Sequence, residues 1–490
     1  MKLPFWEILQ EYKENQDSLS KIMLKNWDLL RKENKDFRKE EIAHNVKSLH
    51  TLPEMPLGHD SNQNTKFDKW HDLDLRILDV MIKGVKGIPY DRVYGLNLTY
   101  PDTASPVSLI IMGWNGGGKS SIYNSLELIF KNESSVEVKH KINAENRRNF
   151  FHHFGSSQPV SITVRSVSDI FFEYKEDAIN KVSDHLDLNP FFCSESDIAL
   201  FECSGHKMGK YLDELVGLSE LVEVKSVLES LLEDYENDYK KITLESEEDN
   251  KHKVRLTSLI TQVRLMREKC DGKLTSIRNE ILSDAQDVLT SLVEEYIEED
   301  EEIELHYLRG EGEKRIFTGL LKKKDTDILI EPRHYFNNFR LKLYFLSLRI
   351  AVAFNTMRTS NISFPLIFDD IFDSSDFKNR IKTSEFFQKV VETYYSKSIH
   401  QRPLQLIFFT QDEVVGKSAY EGIIKSGHQG KVCLVRLFDP LECDDKDEIS
   451  RELKNTNIEE GDDNRMECDQ IMATPKEYLF YNLYDVISSK

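Results

Sequence analysis

The sequence is poor in several things that would have marked it for particular classes. No run of 18 or more apolar residues occurs in its 490 residues, so no membrane-spanning helix is expected. The first residues, Met1-Lys2-Leu3-Pro4-Phe5-Trp6-Glu7, lack the apolar core and small-residue cleavage site of a secretory signal. Cysteine is sparse. The six are Cys193, Cys203, Cys270, Cys433, Cys443 and Cys468, and none forms a C-x-x-C pair. That argues against a zinc ribbon or a disulfide framework and points to a reducing, cytoplasmic location. Positive charge is in deficit, with 65 Lys and Arg against 85 Asp and Glu and a net charge of −20. A surface coated in nucleic acid is therefore not expected, although a small basic groove could still hold DNA. The sequence shows no metal-nuclease cluster, hydrolase triad or second catalytic domain.

What is present is organised around Gly113-Trp114-Asn115-Gly116-Gly117-Gly118-Lys119-Ser120. An apolar run, Val107 to Met112, precedes it and a helical stretch, Ser121 to Phe130, follows. Strand, glycine-rich turn and helix are the context that a G-x-x-x-x-G-K-[ST] phosphate loop requires. Glycines let successive backbone N–H groups turn toward phosphate oxygens, and the helix N-terminus adds partial positive charge at the same place. Lys119 would reach the β- and γ-phosphates and the Ser120 hydroxyl would help hold Mg²⁺.

A length of 490 residues is compatible with two or three domains. Residues 1–66 read as an N-terminal helical extension and linker. Trp6, Leu9, Tyr12, Leu19, Met23, Trp27 and Leu30 mark an apolar stripe, and Pro53 to Lys66 reads as the linker. The cluster Arg31, Lys32, Lys35, Arg38 and Lys39 is interleaved with acids, as on a solvated helix face. Strands are expected at Leu75–Ile82, Val93–Tyr100 and Val160–Val164. From Leu221, the apolar positions Leu221, Val224, Leu228, Leu231 and Tyr235 recur at heptad spacing. A polar break at Ser246–Asn250 follows, and the pattern resumes at Leu256, Leu259, Val263, Met266 and Cys270, then Ile277, Ile281, Val288 and Leu292. Two antiparallel helices forming a short coiled-coil arm, about 40–60 Å long, fit this pattern. Two ordinary amphipathic helices packed on a core fit it too. Gly272 should weaken the second helix locally. The acidic run Glu294–Glu302 reads as a solvated helix end, and Lys322-Lys323-Lys324 is the one uninterrupted basic triplet.

Phe364 to Asp370 is an apolar strand ending in two carboxylates. An acid at such a tip can hold Mg²⁺ and its neighbour can polarise the attacking water, so Asp369 is assigned to the metal and Asp370 to the water. Leu404 to Asp412 is another buried strand with a polar tip, placed to sense the γ-phosphate.

In this order the pieces resemble the ABC-type ATPase heads of the SMC, RecN and RecF group, over about Leu75 to Pro440. The resemblance implies an α/β fold, a P-loop ABC-type head of two lobes with a short antiparallel coiled-coil insertion and the N-terminal helical extension. The lobes would be 67–218 and 301–440, with the arm at 219–300 and an acidic, mobile loop and C-terminal helix at 441–490. Gly113, Asn115, Gly116, Gly117, Gly118, Lys119, Ser120 and Ser121 would wrap the phosphates of ATP. Glu195 stands where the group has a metal-contacting Gln. His334 to Leu341, followed by Ser347 to Ala351, resembles the L-N-E-A-R-L variant of the signature helix, with Asn337 in place of the signature Ser. Asp376 matches the D-loop acid, and Gln411 occupies the switch-His position. Asp370, one methylene shorter than the group's usual Glu, and Gln411 both imply slow hydrolysis.

The resemblance further implies a homodimer, or a higher oligomer built on it, in which two heads close on two Mg²⁺-ATP molecules. A bacterial anti-phage defence ATPase that controls a separate effector protein, triggered by DNA or a phage protein, is the first reading. A RecF- or RecN-like repair ATPase that clamps DNA itself, and a scaffold with a structural nucleotide, are the alternatives. No membrane partner is expected.

Overall fold

The computed structural model describes residues 72–86, 88, 93–99, 105–113, 118–131, 160–175, 178–179, 188–195, 197, 213, 215, 218–242, 247–294, 297, 301–309, 315–324, 326, 328–372, 377–426, 432–437 and 457–458. The N-terminal helices, the linker and the C-terminal helix expected from Thr474 lie outside these residues.

In chain order, strands β1 (Ile77–Lys83), β2 (Val93–Asn97) and β3 (Ser108–Gly113) lead into helix α1 (Lys119–Lys131). Strands β4 (Ser161–Ser166), β5 (Phe171–Lys175) and β6 (Ala178–Ile179) follow, then a short 3₁₀ turn at Asn189–Phe191 and strand β7 (Phe192–Ser194). Two long helices come next, α2 (Ser219–Lys241) and α3 (Glu247–Val293). A hairpin β8 (Glu301–Arg309) and β9 (Arg315–Lys323), strand β10 (Leu329–Ile330), the short α4 (Pro332–Tyr335) and the long α5 (Asn338–Ser360) succeed them. The chain then runs through β11 (Leu366–Asp369), α6 (Phe377–Ser396), β12 (Leu406–Thr410), α7 (Glu413–Lys425), β13 (Val432–Leu437) and β14 (Asn457–Ile458). No helix among the described residues is long and apolar enough to cross a membrane.

The chain forms two compact units, one containing residues 210–284 and the other residues 70–209 and 285–490. The larger unit holds a five-stranded parallel sheet in the order β13-β3-β12-β11-β7. Strand β3, Ser-Leu-Ile-Ile-Met-Gly, is buried at every position, as a parallel strand covered on both faces must be. Beside it lies an antiparallel sheet, β14-β2-β1-β4-β5-β6, whose β4 alternates half-exposed and buried residues. Helix α1 is packed between the two sheets. Tyr123 meets Phe192 of β7 and Phe409 of β12, while Phe130 meets Phe172 of β5 and Phe364. This double covering explains why Ser121 through Phe130 are all buried.

On the other face of the parallel sheet, Phe372, Phe386, Phe387 and Phe408 stack edge to face and tilted, joining α6 to β12. Helices α6 and α7 cross so closely that a Cβ at Gly422 would come within 2.1 Å of the Ser384 carbonyl oxygen.

The smaller unit is the helix pair. Leu221, Val224, Leu228, Leu231 and Tyr235 of α2 are buried with Leu256, Val263, Met266, Cys270 and Ile277 of α3. Pairing is antiparallel. Glu236 meets Arg264 at 2.8 Å, and farther down Lys225 meets Asp271 at 2.5 Å. Helix α2 ends at Lys241, and Glu247 to Asn250, expected in the polar break, already belong to α3. The 23 residues of α2 set the paired length at about 35 Å, below the length expected from the heptads. Helix α3 runs unbroken through Gly272, where a Cβ would meet nothing within 4 Å. Val288 and Leu292, the last apolar positions in that pattern, are buried within the larger unit. There Lys397 bonds Asp287 at 2.6 Å and Lys389 approaches Glu294 at 3.4 Å.

Three local readings differ from the structure. Glu301 and Glu302 open strand β8 rather than closing a helix. They pair in register with Lys323 and Lys322 of β9, and Lys322 Nζ lies 3.5 Å from Glu302, a cross-strand charge pair. Within the acidic tail, Asn457 and Ile458 add an edge strand to β2.

Candidate nucleotide site

The site lies where the parallel strands end. Strand β3 delivers Gly113, and Gly118 opens helix α1 at φ 92°, a conformation that suits only glycine without strain. The Gly118 carbonyl accepts the first helical bond, from Ile122 N at 3.0 Å. Asn115, Gly116 and Gly117 lie outside the described residues. Lys119 is buried and donates from Nζ to the Gly113 carbonyl oxygen at 2.5 Å. Ser120 is exposed at the first turn of α1, and Ser121 beside it is buried.

Strand β12 separates β3 from β11, so the tips of β11 and β12 both stand beside the loop. Asp369 ends β11. Its Oδ1 is shut off from solvent and has no hydrogen-bond partner among the described residues. Burial first, then the neighbouring Asp370, push the Asp369 carboxyl up to about 8; Lys119 and a hydrogen bond from Ser120 act against them. Lys119 in turn is held below the usual lysine range by burial, opposed by the charges of Asp370 and Asp369. Lys119, Asp369 and Asp370 thus lie near enough to act on one another's charge, with the exposed Ser120 at the edge of the group. An orphaned carboxylate oxygen next to a serine hydroxyl is a fitting pair of ligands for Mg²⁺.

Asp370 takes a left-handed backbone, φ 49°, which aspartate tolerates better than most side chains. Its N–H bonds Phe409 O at 2.9 Å, and its Oδ1 accepts the Gln411 N–H at 2.8 Å. The backbone of Gln411 therefore fixes the carboxylate assigned to the water. Asp412, read as part of the polar strand tip, instead caps α7 through Val414 N at 2.9 Å and Val415 N at 3.3 Å.

Glu195 follows β7 directly and is exposed. Its neighbour Ser194 pairs in register with Asp369, which puts Glu195 on the metal side of the site. Asn337 caps α5, its side chain accepting Arg340 N at 2.9 Å, and it is exposed with no acidic residue in the first helical turn. No described contact joins it to the phosphate loop of its own chain. Asp376 lies outside the described residues.

Sequence reading missed some buried polar groups behind the loop. Glu127, 0 % exposed, pairs with Lys131 at 2.9 Å and adds to the negative charge felt by Asp369. Asp197 accepts from Ser194 N at 2.8 Å and Ser194 Oγ at 3.0 Å. Arg349, in the middle of α5, donates to Asn189 O at 2.6 Å. A charged residue inside an otherwise apolar helical run was the available signal for Glu127 and Arg349 alike.

No protein-family model matches the chain, and no curated protein matches it by sequence. Among solved structures, the chain is similar to the Smc head domain with an extended coiled coil bound to the C-terminal domain of ScpA, derived from Pyrococcus furiosus. Identity there is 13% over 70% of this chain and 91% of that one, with a TM-score of 0.36. It is similar to the recombination mediator RecF with ATP, in the RecFOR pathway, at 11% identity over 74% of this chain and 98% of that one, TM-score 0.41. The Smc head with coiled coil and joint from Pyrococcus yayanosii gives 12% identity, 70% and 93% coverage and a TM-score of 0.36. The fold and the chemistry of the site therefore rest on this chain's own strands and side chains.

Proposed function

We propose that this chain is an ATPase of the SMC and RecF type that binds Mg²⁺-ATP and hydrolyses it slowly. The observation that carries the reading is the nearness of the buried Lys119 to two carboxylates at the tip of β11, close enough for their charges to act on it, one of which has a buried oxygen without a partner among the described residues. A buried lysine and an aspartate with a buried oxygen, beside an exposed serine, have a ready use in holding a metal–phosphate group. Mg²⁺, held by Ser120 and Asp369, would neutralise charge on the β- and γ-phosphate oxygens. Lys119 exchanges the Gly113 carbonyl for those oxygens. Backbone N–H groups at the start of α1 bind the phosphates, with Gly118 permitting the turn. Asp370, steadied by Gln411 N–H, takes a proton from the attacking water. Its short side chain sets it back from the water, and Gln411 brings no titratable group to the switch position, so turnover is slow.

The finer reading is that two heads close on two ATP molecules, with Asn337 of one chain meeting the nucleotide of the other. Hydrolysis then releases the dimer and resets a separate effector in anti-phage defence. It is supported by the exposed start of α5 at Asn337, which has no acidic residue in its first turn, and by the likeness of His334–Leu341 to the L-N-E-A-R-L signature. The test is steady-state ATP hydrolysis with and without double-stranded DNA, with Asp370→Asn as the blank. Turnover above the blank, raised by DNA, supports a DNA-responsive ATPase. Turnover equal to the blank under both conditions overturns the stand-alone ATPase and leaves a structural nucleotide.

A further inference from the structure

Arg349 is 3 % exposed and sits in the middle of α5 between apolar neighbours, Leu346, Leu348, Ile350 and Ala351, all buried. A helix packed in a core has no need of a charge there. Replacing a buried ion pair with apolar side chains is often neutral or stabilising, so the arginine calls for another explanation. Its contacts supply one. Arg349 Nη2 donates to Asn189 O at 2.6 Å, and Nη1 lies 3.8 Å from Asp197 Oδ1. The other Asp197 oxygen holds Ser194 through both N–H and hydroxyl. Ser194 pairs with Asp369, and the next residue is Glu195. The guanidinium thus grips the segment at its start and, through Asp197, at its end. Its planar fork can serve two acceptors at once, which a lysine ammonium does less well.

We propose that Arg349 is a positioning residue that clamps the Asn189–Glu195 segment, fixing Glu195 and Ser194 against the Asp369 metal position. The inference rests on the ATPase reading above and deepens it. Because α5 also begins at Asn337, the clamp ties the residue that meets a partner's nucleotide to the metal side of the chain's own site.

The experiment compares the full-length wild type with Arg349→Lys and Arg349→Met. Amide hydrogen exchange without nucleotide is measured first. Exchange should rise at Asn189–Glu195, more for Met than for Lys, with β3 and β12 as protected as before. ATP binding is then titrated with Mg²⁺ by calorimetry, and half-saturating Mg²⁺ should rise about threefold or more for Arg349→Met. In hydrolysis, kcat should fall about tenfold or more with KM for ATP changed less than about threefold, since a misplaced group lowers kcat rather than binding. Arg349→Lys should recover part of each effect. Unchanged exchange and Mg²⁺ dependence overturn the proposal. So does a uniform loss of protection across the whole head, which marks a purely structural arginine. A wild type that binds no ATP would instead overturn the ATPase reading, and the nucleotide-free exchange comparison still decides whether Arg349 holds the segment.

Discussion

Gln405, just before strand β12, and Asp369, at the end of strand β11, occupy opposite ends of one parallel sheet, and their polar atoms are treated differently. Gln405 Oε1 accepts Ile77 N at 2.7 Å, while its Nε2 reaches Ile77 O at 2.8 Å and Val107 O at 2.9 Å. One buried side chain thus stitches the antiparallel sheet to the parallel one. Nearby, Arg76 forks onto Asp74 at 2.8 and 2.6 Å and reaches Pro403 O at 3.2 Å. At the other end Asp369 Oδ1 meets no partner among the described residues, and Lys119 rests on the carbonyl of its own loop. Satisfied buried groups specify a fold, whereas an unsatisfied one is a place for something else to bind. The sheet is closed where it holds the protein together and left open where a ligand is expected.

Substitutions at the two ends should separate stability from turnover. Asp370→Asn is expected to lower kcat by about 10²–10⁴-fold while leaving ATP binding and Tm unchanged, because it removes a proton acceptor and keeps a side chain that still accepts from Gln411 N–H. Equal turnover in steady-state phosphate release, with both proteins well above Lys119→Ala, would remove Asp370 from the chemistry and leave the ATPase standing. Lys119→Ala should reduce kcat/KM by about 10²–10³-fold, through loss of a charge aimed at the transferring phosphate.

At the closed end, Gln405→Ala should lower unfolding stability by about 2–4 kcal/mol, since it strands the backbone groups of Ile77 and Val107. Denaturant melts would measure it, and ATP affinity per folded molecule should not move. A loss of affinity without a loss of stability would break the contrast. Asp370→Glu restores the longer acid yet should cost about 1 kcal/mol, because glutamate gains no local hydrogen bond to offset the left-handed backbone.

The smallest effect concerns His400, whose imidazole burial holds below its ordinary value of 6.5; a hydrogen bond to the Asn361 backbone opposes this, and nearby Arg402 adds to it. The unfolded chain then binds more protons than the folded one just below pH 6.5. Its contribution to stability is full above that pH and is lost as the pH falls toward the folded value. Chemical denaturation at pH 7.5 and 5.5 should show a slope that His400→Gln flattens.

The loop, the flanking strand and helix, and the Asp369–Asp370 tip were legible because each is a local pattern. An apolar run long enough for a buried strand, a glycine-rich turn and an amphipathic continuation need no distant partner to be recognised. The heptads of α2 and α3 were legible for the same reason, although their paired length was not, because it is set where the shorter helix stops. Glu301–Lys323 was opaque. Its acids and lysines read separately as a helix end and a basic patch, and only cross-strand register made them complementary.

The sequence by itself determined that a strand and a helix flank a glycine-rich stretch, that two carboxylates end a buried strand, and that two helices share a heptad seam. These follow from periodicity and backbone freedom, which act over a few residues. Tertiary structure decided which strand tips lie side by side, that Gln411 acts on Asp370 through its backbone, that Asp412 caps a helix, and that Arg349 reaches back to Asn189 and Asp197. Those pairings join residues far apart in the chain; Arg349 and Asn189 are 160 positions apart. Only the packing of α1 and α5 against the sheet brings such groups within hydrogen-bonding distance, where low dielectric gives their contacts weight.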